Sequence, residues 1–215
     1  MSGTHPCQYS PEVIAVLDEL IHPGEHIHDP FAGPGRRLGH LCDWKQATFS
    51  GTDIEEWPDH DPRVRLGDAT HPASYPIFMD FTIITSPVYV NKRLADYSNG
   101  PTSSTKIKGR RDYALSLGRP LHPDNLARRT GRRSKVDAYW QGHRDAVKHW
   151  GDRVIVNVDY PIAADWARLL DVYGYRVEDP IGIPTQRYRG LANDRIRAEL
   201  EVVLVAIRTD HPDVA

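Results

Sequence analysis

The sequence predicts an α/β protein built on a mostly parallel sheet with helices on both faces, and three observations carry that reading. Short apolar runs of strand length alternate with stretches of helical periodicity, the pattern that successive βαβ units leave. The helical stretches carry start and stop signals, a Ser N-cap in one and a closing glycine in two others. Four successive apolar runs end in an acid, a glycine turn or a hydroxyl, as expected where ligands gather at the carboxyl edge of such a sheet.

The elements follow in order. "SPEVIAVLDEL" (10–20) is an amphipathic helix with Ser10 as its cap and Glu12 in its first turn. "HIHDPFA" (26–32) is strand-like and runs into Gly33-Pro34-Gly35. "ATFSGTDI" (47–54) and "RVRLGDA" (63–69) are short strands ending near Asp53 and Asp68, and "DFTIITSP" (80–87) is a fourth. "VDAYWQGHRDAVKHWG" (136–151) and "PIAADWARLLDVYG" (161–174) read as helices. "DRVIVNVD" (152–159), "YRVEDPIGI" (175–183) and "ELEVVLVAI" (199–207) complete seven strands.

Length and composition bound the rest. At 215 residues, 40% apolar and 26% charged, the chain is expected to form one domain, 1–215. Its longest apolar runs fall well short of the ~20 residues that cross a bilayer, and "MSGTHPCQYS" lacks a signal-peptide pattern. With only Cys7 and Cys42, the expected setting is a reducing cytoplasm. No His/Cys cluster has metal-ligand spacing, so no metal is expected. The net charge of −2 conceals an asymmetry: residues 91–150 hold fourteen Lys and Arg against five Asp, a local +9. Twelve of those fourteen lie in 92–135, a polar stretch too long for an ordinary connection and read as an insertion that holds a polyanion.

The strand ends suggest chemistry. Asp29 stands beside Gly33 and Gly35, and glycine permits a tight turn and close approach of a ligand to backbone. Asp53, eighteen residues beyond Gly35, can accept hydrogen bonds from ribose hydroxyls, and a dinucleotide site shares this much of the pattern. The fourth strand ends in Ser86-Pro87-Val88-Tyr89.

In their order, "DPFAGPG", "GTDIEEW", "GDA" and "TSPVY" resemble the motifs of the S-adenosylmethionine-dependent DNA methyltransferases that modify exocyclic amino groups. "SPVYVNKRLADY", "RDYALSLGRPLHPDN" and "PTQRYRGLAN" look like a branch found in actinobacterial phages and their hosts, in which restriction-modification is one setting. The resemblance implies a Rossmann-like class I fold with seven strands, the last antiparallel. It implies that Asp29, Gly33 and Gly35 meet the methionine part of the cofactor and that Phe31 also touches the cofactor, with Tyr9 either closing the methionine end or serving as a core aromatic. Asp53 would hold the ribose, with Glu55 as second choice; Ile54 would pack on the adenine, Asp68 bind its amino group, and Ala69 also touch the cofactor.

Catalysis in such a family rests on Ser86, Pro87 and Tyr89. Ser86 Oγ and the Pro87 carbonyl can accept from an exocyclic amine and localise its lone pair. Tyr89 would stack on a base everted from the duplex. Serine at the head of the tetrapeptide favours cytosine N4 over adenine N6, while Val88 stands where a second proline is usual. Lys92, Arg93, Lys106, Lys108, Arg110, Arg111, Arg128, Arg129, Arg132 and Arg133 would neutralise DNA phosphates, with Arg187 and Arg189 near the target. The rival readings are an RNA methyltransferase, a nucleic-acid-binding protein that keeps the cofactor pocket without turnover, and, more distantly, a nicotinamide dehydrogenase. Pro6-Cys7-Gln8 recurs in cytosine-C5 enzymes, but Cys7 precedes the first strand and the fourth-strand end holds Ser86, which excludes that chemistry.

Overall fold

In the computed structural model, residues 9–77, 80–87, 117, 119–126, 133–187 and 197–209 are described. Helix α1 (Pro11–Leu20) starts where the Ser10 side chain accepts from the Val13 N–H at 3.2 Å. Strand β1 (His26–Asp29) leads through the glycine turn into α2 (Arg36–Trp44), then β2 (Thr48–Asp53) and β3 (Val64–Leu66). After β4 (Thr82–Thr85) come α3 (Arg133–Val147), β5 (Arg153–Asp159), α4 (Tyr160–Val172), β6 (Tyr175–Val177), β7 (Ile181–Arg187) and β8 (Arg197–Arg208).

The strands form one sheet in the order β3-β2-β1-β4-β5-β8-β6, with β7 also paired to β8. The first five are parallel, and β8 runs antiparallel to β5. This order, with one antiparallel strand, is that of the Rossmann-like class I methyltransferase fold. The expected sixth strand is corrected into two. Val177 pairs with Ala206 and Ile181 with Val203, so four steps along the edge oppose three along β8. Pro180, which has no N–H for a ladder, sits in that bulge.

Two cores sandwich the sheet. On one face Val13 and Leu17 of α1 and Leu38, Leu41 and Cys42 of α2 cover Ile27, Phe49, Ile84 and Ile155. On the other, Val147 of α3 and Trp166, Leu169 and Leu170 of α4 cover Ile83, Val154, Val156 and Val158. Ile83 and Ile84 therefore feed opposite cores, which is why the central strands read as continuous apolar runs. Helix α2 went unassigned from sequence, although Leu38, Leu41 and Cys42 are spaced as one helical stripe.

The parallel strands bring the ends of β1, β2, β3 and β4 to one edge. The sheet order reverses between β1 and β4, which opens a cleft there. Gly35, at φ 67°, begins α2 at the mouth of that cleft. A methyl group on it would collide with Val64 Cγ2 and lie 3.3 Å from the Phe49 ring. Gly24 has φ 82° and open space around it. In urea denaturation Gly35→Ala should lose about 2–4 kcal/mol, left-handed strain plus overpacking. Gly24→Ala should lose only the strain, about 1–2 kcal/mol; equal losses would mean that the packing at Gly35 is not tight.

Candidate functional site

Asp29 ends β1 and is buried. Its Oδ1 accepts from Thr85 Oγ1 of β4 at 2.7 Å and from the Phe31 N–H at 3.0 Å, and its Oδ2 accepts from the Tyr9 hydroxyl at 3.3 Å. Asp53 ends β2. Its Oδ2 accepts from the Gly33 N–H at 2.8 Å, and its Oδ1 from the Glu55 N–H at 2.8 Å and Trp57 Nε1 at 3.1 Å. A carboxylate offers about four acceptor positions, so Asp53 retains capacity for one more donor. The Asp68 Oδ1 is occupied by the Thr70 N–H and hydroxyl, both at 2.9 Å, which shapes the turn after β3. Its Oδ2 accepts no hydrogen bond from the described residues.

Burial controls the charges. It pushes the Asp29 carboxyl up to about 7, against the hydrogen bonds from Thr85, Phe31 and Tyr9 that favour the anion. Asp53 is raised to about 6 by the same desolvation, opposed by the donors of Glu55, Gly33 and Trp57. Near neutrality this edge therefore holds two carboxyls able to exchange protons.

One cavity collects these groups. Asp29, Asp53, Asp68 and Ser86 line it, bringing together the ends of β1, β2, β3 and β4. Tyr9, Phe31 and Gly35 also line it, and Ile54 and Ala69 supply apolar wall. Gly33 is not among the lining residues, and its N–H is spent on Asp53. Pro87 is buried beside Ser86. Tyr89 and Val88 lie outside the described residues, as do Cys7, Lys92, Arg93, Lys106, Lys108, Arg110, Arg111, Arg128, Arg129, Arg132 and Arg189. Arg133 opens α3 and Arg187 closes β7 as backbone positions.

Glu55 requires a correction. It does not line the cavity with Asp53 but is buried against residues 119–125, where Arg119, the His122 N–H and Asn125 bond its carboxylate. Sequence reading also missed Arg37, Trp57, Thr70, Asp124, Asn125 and Leu126 as lining residues. Arg37 donates to the Tyr9 carbonyl, fastening the approach to α1 across the cavity mouth. The adjacent arginines after the glycine turn were a visible signal, and Trp57 and Thr70 stand within four residues of Asp53 and Asp68; for Asp124, Asn125 and Leu126, far along the chain, there was none.

Among the described residues no group of three His, Cys, Asp or Glu stands where it could hold a metal ion, and no helix is long and apolar enough to cross a membrane.

Fold and edge cavity together define a protein with the class I methyltransferase fold. No family model matches the chain, and no curated protein matches it. Solved structures do. A TehB-like SAM-dependent methyltransferase from Corynebacterium glutamicum is similar at 13% identity and a TM-score of 0.46, over 92% of this chain and 88% of that one. TrmN from Thermus thermophilus aligns at 14% identity and a TM-score of 0.47, over 92% of this chain but 48% of its own. A 1,6-didemethyltoxoflavin-N1-methyltransferase from Burkholderia thailandensis, with S-adenosylhomocysteine bound, aligns at 13% identity and a TM-score of 0.47, over 91% of this chain and 76% of that one. These likenesses concern the course of the chain and not what it acts on.

The raised Asp29 carboxyl makes a prediction with a definite sign. The folded protein holds this proton above the range where the unfolded chain, near 3.8, has lost it. Asp29 therefore contributes full stability below about pH 4, and that contribution is lost as the pH rises through about 7. Relative to wild type, Asp29→Asn should gain melting temperature as the pH rises from about 4 to about 7. A Tm difference that stays flat with pH would mean that the carboxyl titrates normally.

Proposed function

We propose that the chain is an S-adenosylmethionine-dependent methyltransferase acting on an exocyclic amino group of a base in DNA, cytosine N4 by preference and adenine N6 next. The observation that carries the reading is that Ser86, at the end of β4, lines the same cavity as Asp29 and Asp53, at the ends of β1 and β2. In this reading the protein is one methyltransferase domain with 92–135 as a nucleic-acid-binding insertion.

The residues present suit the cofactor. Asp29 offers a buried carboxyl to a cationic head, and Asp53 has an acceptor position for a ribose hydroxyl. Ile54 and Ala69 offer apolar surface to an adenine ring, and the unpaired Asp68 oxygen can meet its amino group. When bound, S-adenosylmethionine supplies a methyl group activated on a sulfonium. A cation beside Asp29 favours its anion, so binding near neutral pH should release protons.

The protein's own task is orientation. Ser86 Oγ and the Pro87 carbonyl accept from the base amine and hold its lone pair toward the donor. Tyr89 stacks on the everted base. The proton lost by the nitrogen passes to water. Lysines and arginines of 92–135 hold the phosphates on either side of the target.

Methyl transfer from labelled S-adenosylmethionine, offered DNA and RNA in parallel, tests the reading. Label should enter DNA as an N-methylated base. Ser86→Ala should bind the cofactor as wild type does and transfer about 100-fold more slowly. Label in RNA alone would favour the RNA reading, and label in neither polymer would favour a binding protein without turnover.

A further inference from the structure

The Glu55 carboxylate is fully buried, yet it does not line the cavity that Asp53 lines two residues earlier. A buried anion must be compensated by donors, and among the described residues Glu55 draws its donors from one distant stretch. Arg119 Nη1 donates to Oε2 at 2.9 Å, while the His122 N–H at 2.6 Å and Asn125 Nδ2 at 2.8 Å donate to Oε1. Charge-assisted bonds of this kind are stronger than neutral ones and fix geometry. Arg119 itself is half exposed, whereas Leu121, Asn125 and Leu126 are buried. Beyond the clamp, Asp124, Asn125 and Leu126 line the same cavity as Ile54, Asp68 and Ala69.

We infer that residues 119–126 form a further wall of the cofactor site and that Glu55 is the positioning residue that holds this wall in place. The inference rests on the proposed cofactor reading. The turn after β2 thereby has two functions. Asp53 presents its carboxylate to the ligand, and Glu55 ties down the strap that covers it. The strap belongs to the same 92–135 stretch proposed to grip nucleic acid, so the second half of that stretch contributes to the donor pocket.

Calorimetric titration with S-adenosylhomocysteine tests the inference, with melting temperature recorded for each variant. Glu55→Ala and Asn125→Ala should each weaken binding about tenfold. The double variant should be no weaker than the single ones, because both remove one joint. Glu55→Gln, which keeps Oε1 for His122 and Asn125, should recover part of the loss. Arg119→Ala removes the half-exposed partner alone and should weaken binding by about threefold, which keeps the test open if Glu55→Ala does not fold. Wild-type affinity in the Glu55, Asn125 and Arg119 variants, with Asp53→Ala still abolishing binding, would overturn the strap and leave the cofactor reading intact. Additive losses in the double variant would equally overturn it. Failure of wild type itself to bind S-adenosylhomocysteine would remove both.

Discussion

The Asp29 carboxyl accepts from Thr85 on β4, from the turn at Phe31 and from Tyr9 ahead of α1, and the geometry of the cleft depends on that junction. β1 and β4 are the strands between which the sheet order reverses. Their carboxyl ends part to connect to opposite faces, and a buried acid bonded to both sides fixes the width of the opening. Desolvation raises the cost of its charge to the point where the proton is retained near neutrality. A cation arriving at that position lowers the same cost. The group that holds the cleft together is thus also the one best prepared to meet a positively charged ligand.

Asp53 extends the principle to the second strand. Gly33, at φ 54°, turns its N–H to the Asp53 carboxylate, so the glycine turn is anchored to β2 as well as to β1. Gly51, within β2, has room for no larger residue because a Cβ would come 2.8 Å from that of Ala32. The turn can therefore lie close along the sheet edge and leave the space above it for a ligand.

Much of this was legible in the sequence because it depends on local chemistry. Strand ends marked by Asp29, Asp53, Asp68 and Ser86 do converge on one cavity, since parallel strands must bring their carboxyl ends to the same side. The antiparallel β8 was also expected, from family resemblance. What local pattern could not convey was direction and long-range pairing. "DIEE" gives no sign that Asp53 lines the cavity while Glu55 turns to residues more than sixty positions away. "EDPIG" gives a proline but not the bulge that lets one edge continue past it along β8. Helix α2 escaped because its glycine and charges dilute a stripe that is only three residues long.

The central claim is that a sulfonium donor lies along the carboxyl edge of the sheet and ends beside Ser86. A crystal structure with S-adenosylhomocysteine bound tests it most directly. The account predicts the ligand's ribose at Asp53, its amino-acid end at Asp29 and its sulfur facing Ser86. Ligand bound anywhere else on the protein, or with its sulfur turned away from the end of β4, would contradict it.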